Sequence, residues 1–79
     1  MTSLQKHILS LLLVNDKLAA EDISGDTKID ALIITHQLLQ LCRKDYVTID
    51  RSHAQALYSI NELHIDKIIE YVRQVEKEE

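Results

Sequence analysis

The sequence predicts an α+β, mostly helical fold: three helices, a two-stranded β-hairpin and a C-terminal helix. Two observations carry this. Apolar residues recur at helical spacing in Ile34, Leu38, Leu41 and Cys42, and the pattern then changes directly into the β-branched and aromatic run Tyr46, Val47, Thr48, Ile49. After the polar residues 51–55, alternation returns in Ala56, Leu57, Tyr58, Ser59 and Ile60. A long helix followed by two short strands around a loop of about five residues is the order of a helix leading into a hairpin.

Taken in order, Thr2 or Ser3 can cap a first helix, whose apolar face is Leu4, Ile8, Leu11 and Leu12, extending to Val14. Asn15, Asp16 and Lys17 break that pattern as a turn would. Residues 18–23 suit a short second helix closing at Ser24 and Gly25, the only glycine in the chain and a natural C-terminal cap. Asp26 or Thr27 can cap the third helix, expected from Lys28 to about Lys44, with Arg43 and Lys44 suited to the negative end of its dipole. Two helices joined by a tight turn, the second leading to a hairpin, are in helix-turn-helix order. Asn61 is a natural cap for the last helix, whose stripe is Leu63, Ile65, Ile68, Ile69, Val72 and Val75. Residues 1–79 are expected to form one domain, with a core in 1–62 and the C-terminal helix in 61–79.

Composition bounds the function. A chain of 79 residues lies near the lower size at which a core sustains itself without disulfides or metal. Its 46% hydrophobic and 28% charged residues are those of a globular domain, and with no Trp or Phe the core must be filled by Leu and Ile. One cysteine cannot make an internal disulfide, and no signal peptide or membrane span is evident, so an intracellular protein with no membrane partner is expected. The formal net charge of −4 argues mildly against nucleic acid.

Catalysis and metal binding are not expected. His7, His36, His53 and His64 lack the spacing of a helical zinc pair, and Cys42 has no second cysteine near it. His36 and Cys42 fall about 120° apart around the helix, so they do not form a nucleophile and base; Cys42 reads as a small buried hydrophobe. A chain with one glycine has no phosphate-binding glycine loop. No cofactor and no small-molecule substrate are therefore expected.

The run from Ile34 through Cys42, Arg43, Lys44, Asp45 and Tyr46 to Val47, with the closing Ala56-Leu57-Tyr58-Ser59-Ile60-Asn61-Glu62-Leu63, resembles the winged helix-turn-helix pattern. Within that superfamily, MarR-like bacterial regulators are similar in the exit strand and the helix after it. Cullin-type C-terminal winged-helix domains are similar in Leu41-Cys42-Arg43-Lys44-Asp45-Tyr46 followed by Asp50, although Leu13 stands where their modifiable lysine would be. The resemblance implies a DNA-binding or protein-binding module that can pair through its terminal helix.

The third helix decides between those functions. Relatives that read DNA carry hydrogen-bonding and cationic residues on its exposed face. Here Asp30, Ala31, Leu32 and Ile33 open the helix, and Asp26, Asp30, Asp45 and Asp50 are interleaved with Lys28, Arg43, Lys44 and Arg51. The reading favoured by this composition is a non-enzymatic protein-interaction module. Its binding residues would be Leu32, Ile33, Leu39, Ile65, Ile69 and Val72, and its partner another protein or a second copy held through the C-terminal helix. Apolar residues at helical spacing are more often plain core. The alternative is a small dimeric regulator binding duplex DNA, in which Thr35, His36, Gln37 and Gln40 face the major groove and Arg51 and His53 on the hairpin approach phosphate or the minor groove.

Overall fold

The structure is a computed structural model that describes residues 3–78, with side chains described as far as 73. Its elements are α1 (Ser3–Val14), β1 (Leu18–Ala19), α2 (Ala20–Thr27), α3 (Ala31–Arg43), β2 (Val47–Asp50), β3 (Leu57–Ile60), a 3-10 turn (Glu62–His64) and α4 (Ile65–Glu78). The expectations placed on Thr2 and on the side chain of Val75 fall outside the described residues.

Helix α1 buries Gln5, Ile8, Leu9 and Leu12, a stripe at i, i+3, i+4 and i+7. Leu9 takes the inner place, while Val14, expected on the apolar face, is 80% exposed. The buried faces of α1, α2 and α3 meet in one cluster with Val47, Tyr58 and Ile68, and Leu4, Ile49, Ile60 and Val72 pack at its margin. Tyr46, just past α3, meets Tyr71 of α4 edge to face at 5.7 Å, which together with buried Ile68 holds α4 against the body.

The expected architecture of three helices, a two-stranded wing and a C-terminal helix is corrected here. Among the described residues there are four helices and a three-stranded antiparallel sheet in the order β1-β3-β2. Leu18 pairs with Tyr58 and Ala19 with Leu57, so residues assigned to the second helix form the sheet's third strand. The sequence pattern concealed this because two residues carry no period, and Leu-Ala is as common in helices as in strands. On the other side, β2 and β3 pair from Val47 opposite Ile60 to Asp50 opposite Leu57. Thr48 and Ser59 join their hydroxyls across that ladder at 2.9 Å.

The turn between α2 and α3 also differs from expectation. Gly25 lies inside α2, which runs on to Thr27. The left-handed cap is Lys28, with φ 60°, and its N–H donates to the Ser24 carbonyl at 2.8 Å. Thr27 Oγ1 donates to the Ile23 carbonyl and accepts from Ile29 N–H, closing the corner. Asp30, rather than Asp26 or Thr27, caps α3 by accepting from Leu32 N–H at 2.8 Å. Helix α3 ends in a Schellman motif: Asp45, with φ 64°, donates to the Cys42 carbonyl, and Tyr46 N–H reaches back to Leu41. Asn61 then ties the two ends of the hairpin to the last helix. Its Nδ2 donates to the Asp45 carbonyl at 2.8 Å, and its Oδ1 accepts from Leu63 N–H.

Candidate functional site

With Ile34, Leu38 and Leu41 fully buried, the geometry of a helix sends Leu32, His36, Leu39 and Arg43 to the opposite side. Leu32 is 81% exposed, and Ile33 and Leu39 are also classed as exposed, so the reading of these three as core is corrected. The core needs only one residue in three or four of α3, and Ile34, Leu38 and Leu41 already fill it. Thr35, Gln37 and Gln40 are half-buried flanks of the same face.

Gln37 and Gln40 are ordered from beneath. Gln5 of α1 is 2% exposed, and its Nε2 donates to Gln37 Oε1 at 2.9 Å and to Gln40 Oε1 at 2.8 Å. Gln40 Nε2 in turn lies 3.0 Å from His36 Nε2. An amide nitrogen has no lone pair to offer, so the amide donates and the imidazole nitrogen accepts. Gln5 carried no signal in the sequence, where one glutamine near the start of an apolar helix reads as exposed.

On the hairpin, Arg51 and His53 are exposed at the tip beside Ser52, Ala54 and Gln55. A groove of about 350 Å³ separates this tip from α3; Ala20 and Glu21 line one wall, Thr35 another, and Ala54, Gln55 and Ala56 a third. Asp50 at the base of the tip accepts from Ser52 N–H and Ser52 Oγ at 2.9 and 2.6 Å and from Lys17 Nζ at 3.1 Å. The Ser52 hydrogen bonds, then Lys17, hold its carboxyl well below the usual carboxylate range. His53 Nε2 lies 3.7 Å from the same carboxylate.

Two of the acidic residues that oppose a nucleic-acid role in the linear sequence, Asp30 and Asp50, are engaged locally. Asp30 caps α3, Asp50 is held by Ser52 and Lys17, and Asp45 occupies the left-handed position of a helix end. Arg43, Lys44 and Arg51 remain exposed. Cys42 is half-buried, and burial pushes its thiol up, against a smaller opposing effect of Arg51.

The proposed partner residues on the last helix divide. Val72 packs against the core, Ile69 is half-buried, and Ile65 is exposed. Ile65 lines a cleft of about 440 Å³ with Leu13, Val14 and Ile60, near exposed Leu63. Among the described residues there is no cluster of His, Cys, Asp or Glu placed to hold a metal ion, and no helix long and apolar enough to cross a membrane.

Three helices carrying a helix-turn-helix, a three-stranded sheet with its hairpin wing and a closing helix define a winged helix-turn-helix protein. Solved structures share this arrangement over nearly the whole chain. A point mutant of ZitR of Lactococcus lactis, determined in complex with DNA, is 26% identical, with 98% of this chain covered and a TM-score of 0.81. Wild-type ZitR with DNA has the same identity and coverage and a TM-score of 0.78. A homodimeric winged helix-turn-helix DNA-binding domain from Mycobacterium bovis, described as a possible ArsR-family transcriptional regulator, is 22% identical, with 98% of this chain and 70% of that one covered and a TM-score of 0.79.

This chain spans 54% of the ZitR chains it matches. No protein-family model matches it, and no curated protein matches it by sequence. The likeness singles out neither the MarR-like nor the cullin-type subgroup. It overturns the reading of a protein-interaction module, since ZitR, matched over 98% of this chain, is solved in complex with DNA. That reading rested on the interleaved acidic residues and on the apolar opening of α3 at Leu32 and Ile33, neither of which takes account of how the folded chain places its exposed cations.

Proposed function

We propose that the protein is a non-enzymatic, dimeric DNA-binding transcriptional regulator working inside the cell. The observation that carries this is the superposition of 98% of the chain on ZitR solved with DNA. In this reading α3 enters the major groove, where Thr35, His36, Gln37 and Gln40 supply the hydrogen-bonding groups that read base edges. Leu32, Ile33 and Leu39 extend the same face with apolar surface, suited to thymine methyl groups. Arg43 and Lys44 at the end of α3 and Arg51 and His53 on the wing approach phosphates on either side of the groove.

A second copy of the chain is the natural partner. The Mycobacterium bovis neighbour is described as homodimeric, and Ile65, with Ile69 beside it, gives α4 an apolar edge outside the core. Duplication would double the cationic groups facing DNA and present two reading helices to successive major grooves.

A fluorescence-anisotropy titration of random-sequence duplex DNA at low salt tests the proposal. Binding at micromolar concentration or tighter, weakening steeply as salt is added, is expected. Absence of binding at low salt would overturn it.

A further inference from the structure

We propose that Gln5, buried in α1 beneath the reading surface, is a positioning residue that sets which hydrogen-bonding group His36 presents to DNA. The proposal rests on the DNA-binding reading for its consequence, but its geometry stands alone. Gln5 Nε2 has two hydrogens, and both are committed, one to Gln37 Oε1 at 2.9 Å and one to Gln40 Oε1 at 2.8 Å. At 2% exposure the Gln5 amide has little access to water that could substitute for these partners.

The two acceptors are three residues apart on α3 and therefore neighbours on one side of the helix. With its oxygen held inward, Gln40 must turn its NH₂ outward, where His36 Nε2 lies 3.0 Å away on the next turn. A ring nitrogen that accepts carries no proton, so in the neutral ring the proton is on Nδ1. His36 is exposed. Its Nδ1–H is then a donor, which suits N7 or O6 of guanine or O4 of thymine and not the amino group of cytosine. A buried glutamine thereby fixes a tautomer two hydrogen bonds away, with no contact of its own to a base.

Two variants and two readouts test this. Gln5→Met keeps the length of the side chain and removes both donors, leaving Gln40 free to turn. Gln40→Glu keeps an acceptor for Gln5 and puts an acceptor before His36, so the ring must donate from Nε2. The nitrogen resonances of the His36 ring report the tautomer directly. The wild type is expected to show a protonated Nδ1, Gln5→Met the average of two tautomers, and Gln40→Glu a protonated Nε2. A protonated Nε2 in the neutral wild-type ring, or identical ring signals in the wild type and Gln5→Met, would overturn the proposal whatever the DNA does.

Selection from a randomised duplex pool supplies the second readout. Gln5→Met should keep general affinity for duplex and lose about tenfold in preference at one base position. An unchanged selected sequence would overturn the role in base choice. A wild type that binds no duplex would overturn the DNA reading and that role together, while the ring signals still decide whether Gln5 controls His36.

Discussion

Lys17 Nζ reaches Asp50 Oδ2 at 3.1 Å across 33 positions of sequence, joining the corner after α1 to the base of the wing. The same carboxylate accepts from Ser52, so one side chain shapes the start of the wing tip and tethers it. Because these bonds lower the folded carboxyl below its unfolded value of about 3.9, their contribution is fully present above that value. It is lost as pH falls through the folded value. Urea midpoints of the wild type should decline as the solution is acidified below about pH 4, and Asp50→Asn should remove part of that slope while loosening the Ser52 amide to hydrogen exchange. Identical acid profiles for the two proteins would contradict the arrangement.

Arg51 and His36 should affect DNA binding differently. Arg51→Ala at the wing tip is expected to weaken binding to all duplexes alike and to reduce the steepness of the logarithmic salt dependence by about 1. His36→Ala should alter base preference more than it alters the salt dependence. Anisotropy titrations over a range of salt concentrations distinguish them, and equal salt slopes for Arg51→Ala and the wild type would remove Arg51 from phosphate contact.

Leu38 and Leu32 are both leucines on α3, yet their substitutions should diverge. Leu38 is 0% exposed, so Leu38→Ala should cost about 2–5 kcal/mol through lost burial and a residual cavity. Leu32→Ala, on the outer face, should change stability by about 0.5 kcal/mol or less. Urea unfolding of both variants checks the helix register, and comparable losses would show that α3 is turned wrongly.

Gly25 and Lys28 occupy each other's preferred positions. Gly25 lies within α2 with nothing inside 4 Å of an added Cβ, so Gly25→Ala should stabilise by about 0.5–1 kcal/mol. Lys28 holds φ 60°, where a side chain costs about 1 kcal/mol, and Lys28→Gly should recover a similar amount. Thermal unfolding should rise by about 4–8 °C per kcal/mol in a domain of this size. A lower midpoint for Gly25→Ala would place the end of α2 earlier.

The last pair of residues shows where the sequence is readable and where it misleads. Long periodic elements declared themselves: α3 through Ile34, Leu38 and Leu41, and the hairpin through the alternation on either side of residues 51–55. Leu18 and Ala19 did not, because strand β1 exists only by pairing with Leu57 and Tyr58, partners far along the chain. Gly25 suggested a helix end that Lys28 supplies instead, since glycine is favoured in the left-handed position without being required there. At the candidate site, the place of Gln37 and Gln40 on one flank of α3 follows from helical spacing. Their support by Gln5 does not, for it depends on how α1 crosses α3. Charge misled for a similar reason: a count along the sequence carries no positions, whereas in the folded chain Asp50 pairs with Lys17 and Asp30 caps α3 while Arg43, Lys44 and Arg51 stand exposed.

The middle position of β3 has a consequence for solution behaviour. Both its flanks are taken, by β1 and β2, so hydrogen-bonding edges are left open only on the outer strands. One of these is two residues long, and the other, at four, ends on the ionised Asp50 next to Arg51. So short and charged a rim gives a stray peptide little to zip onto, which should let the protein be concentrated without sheet-to-sheet clumping.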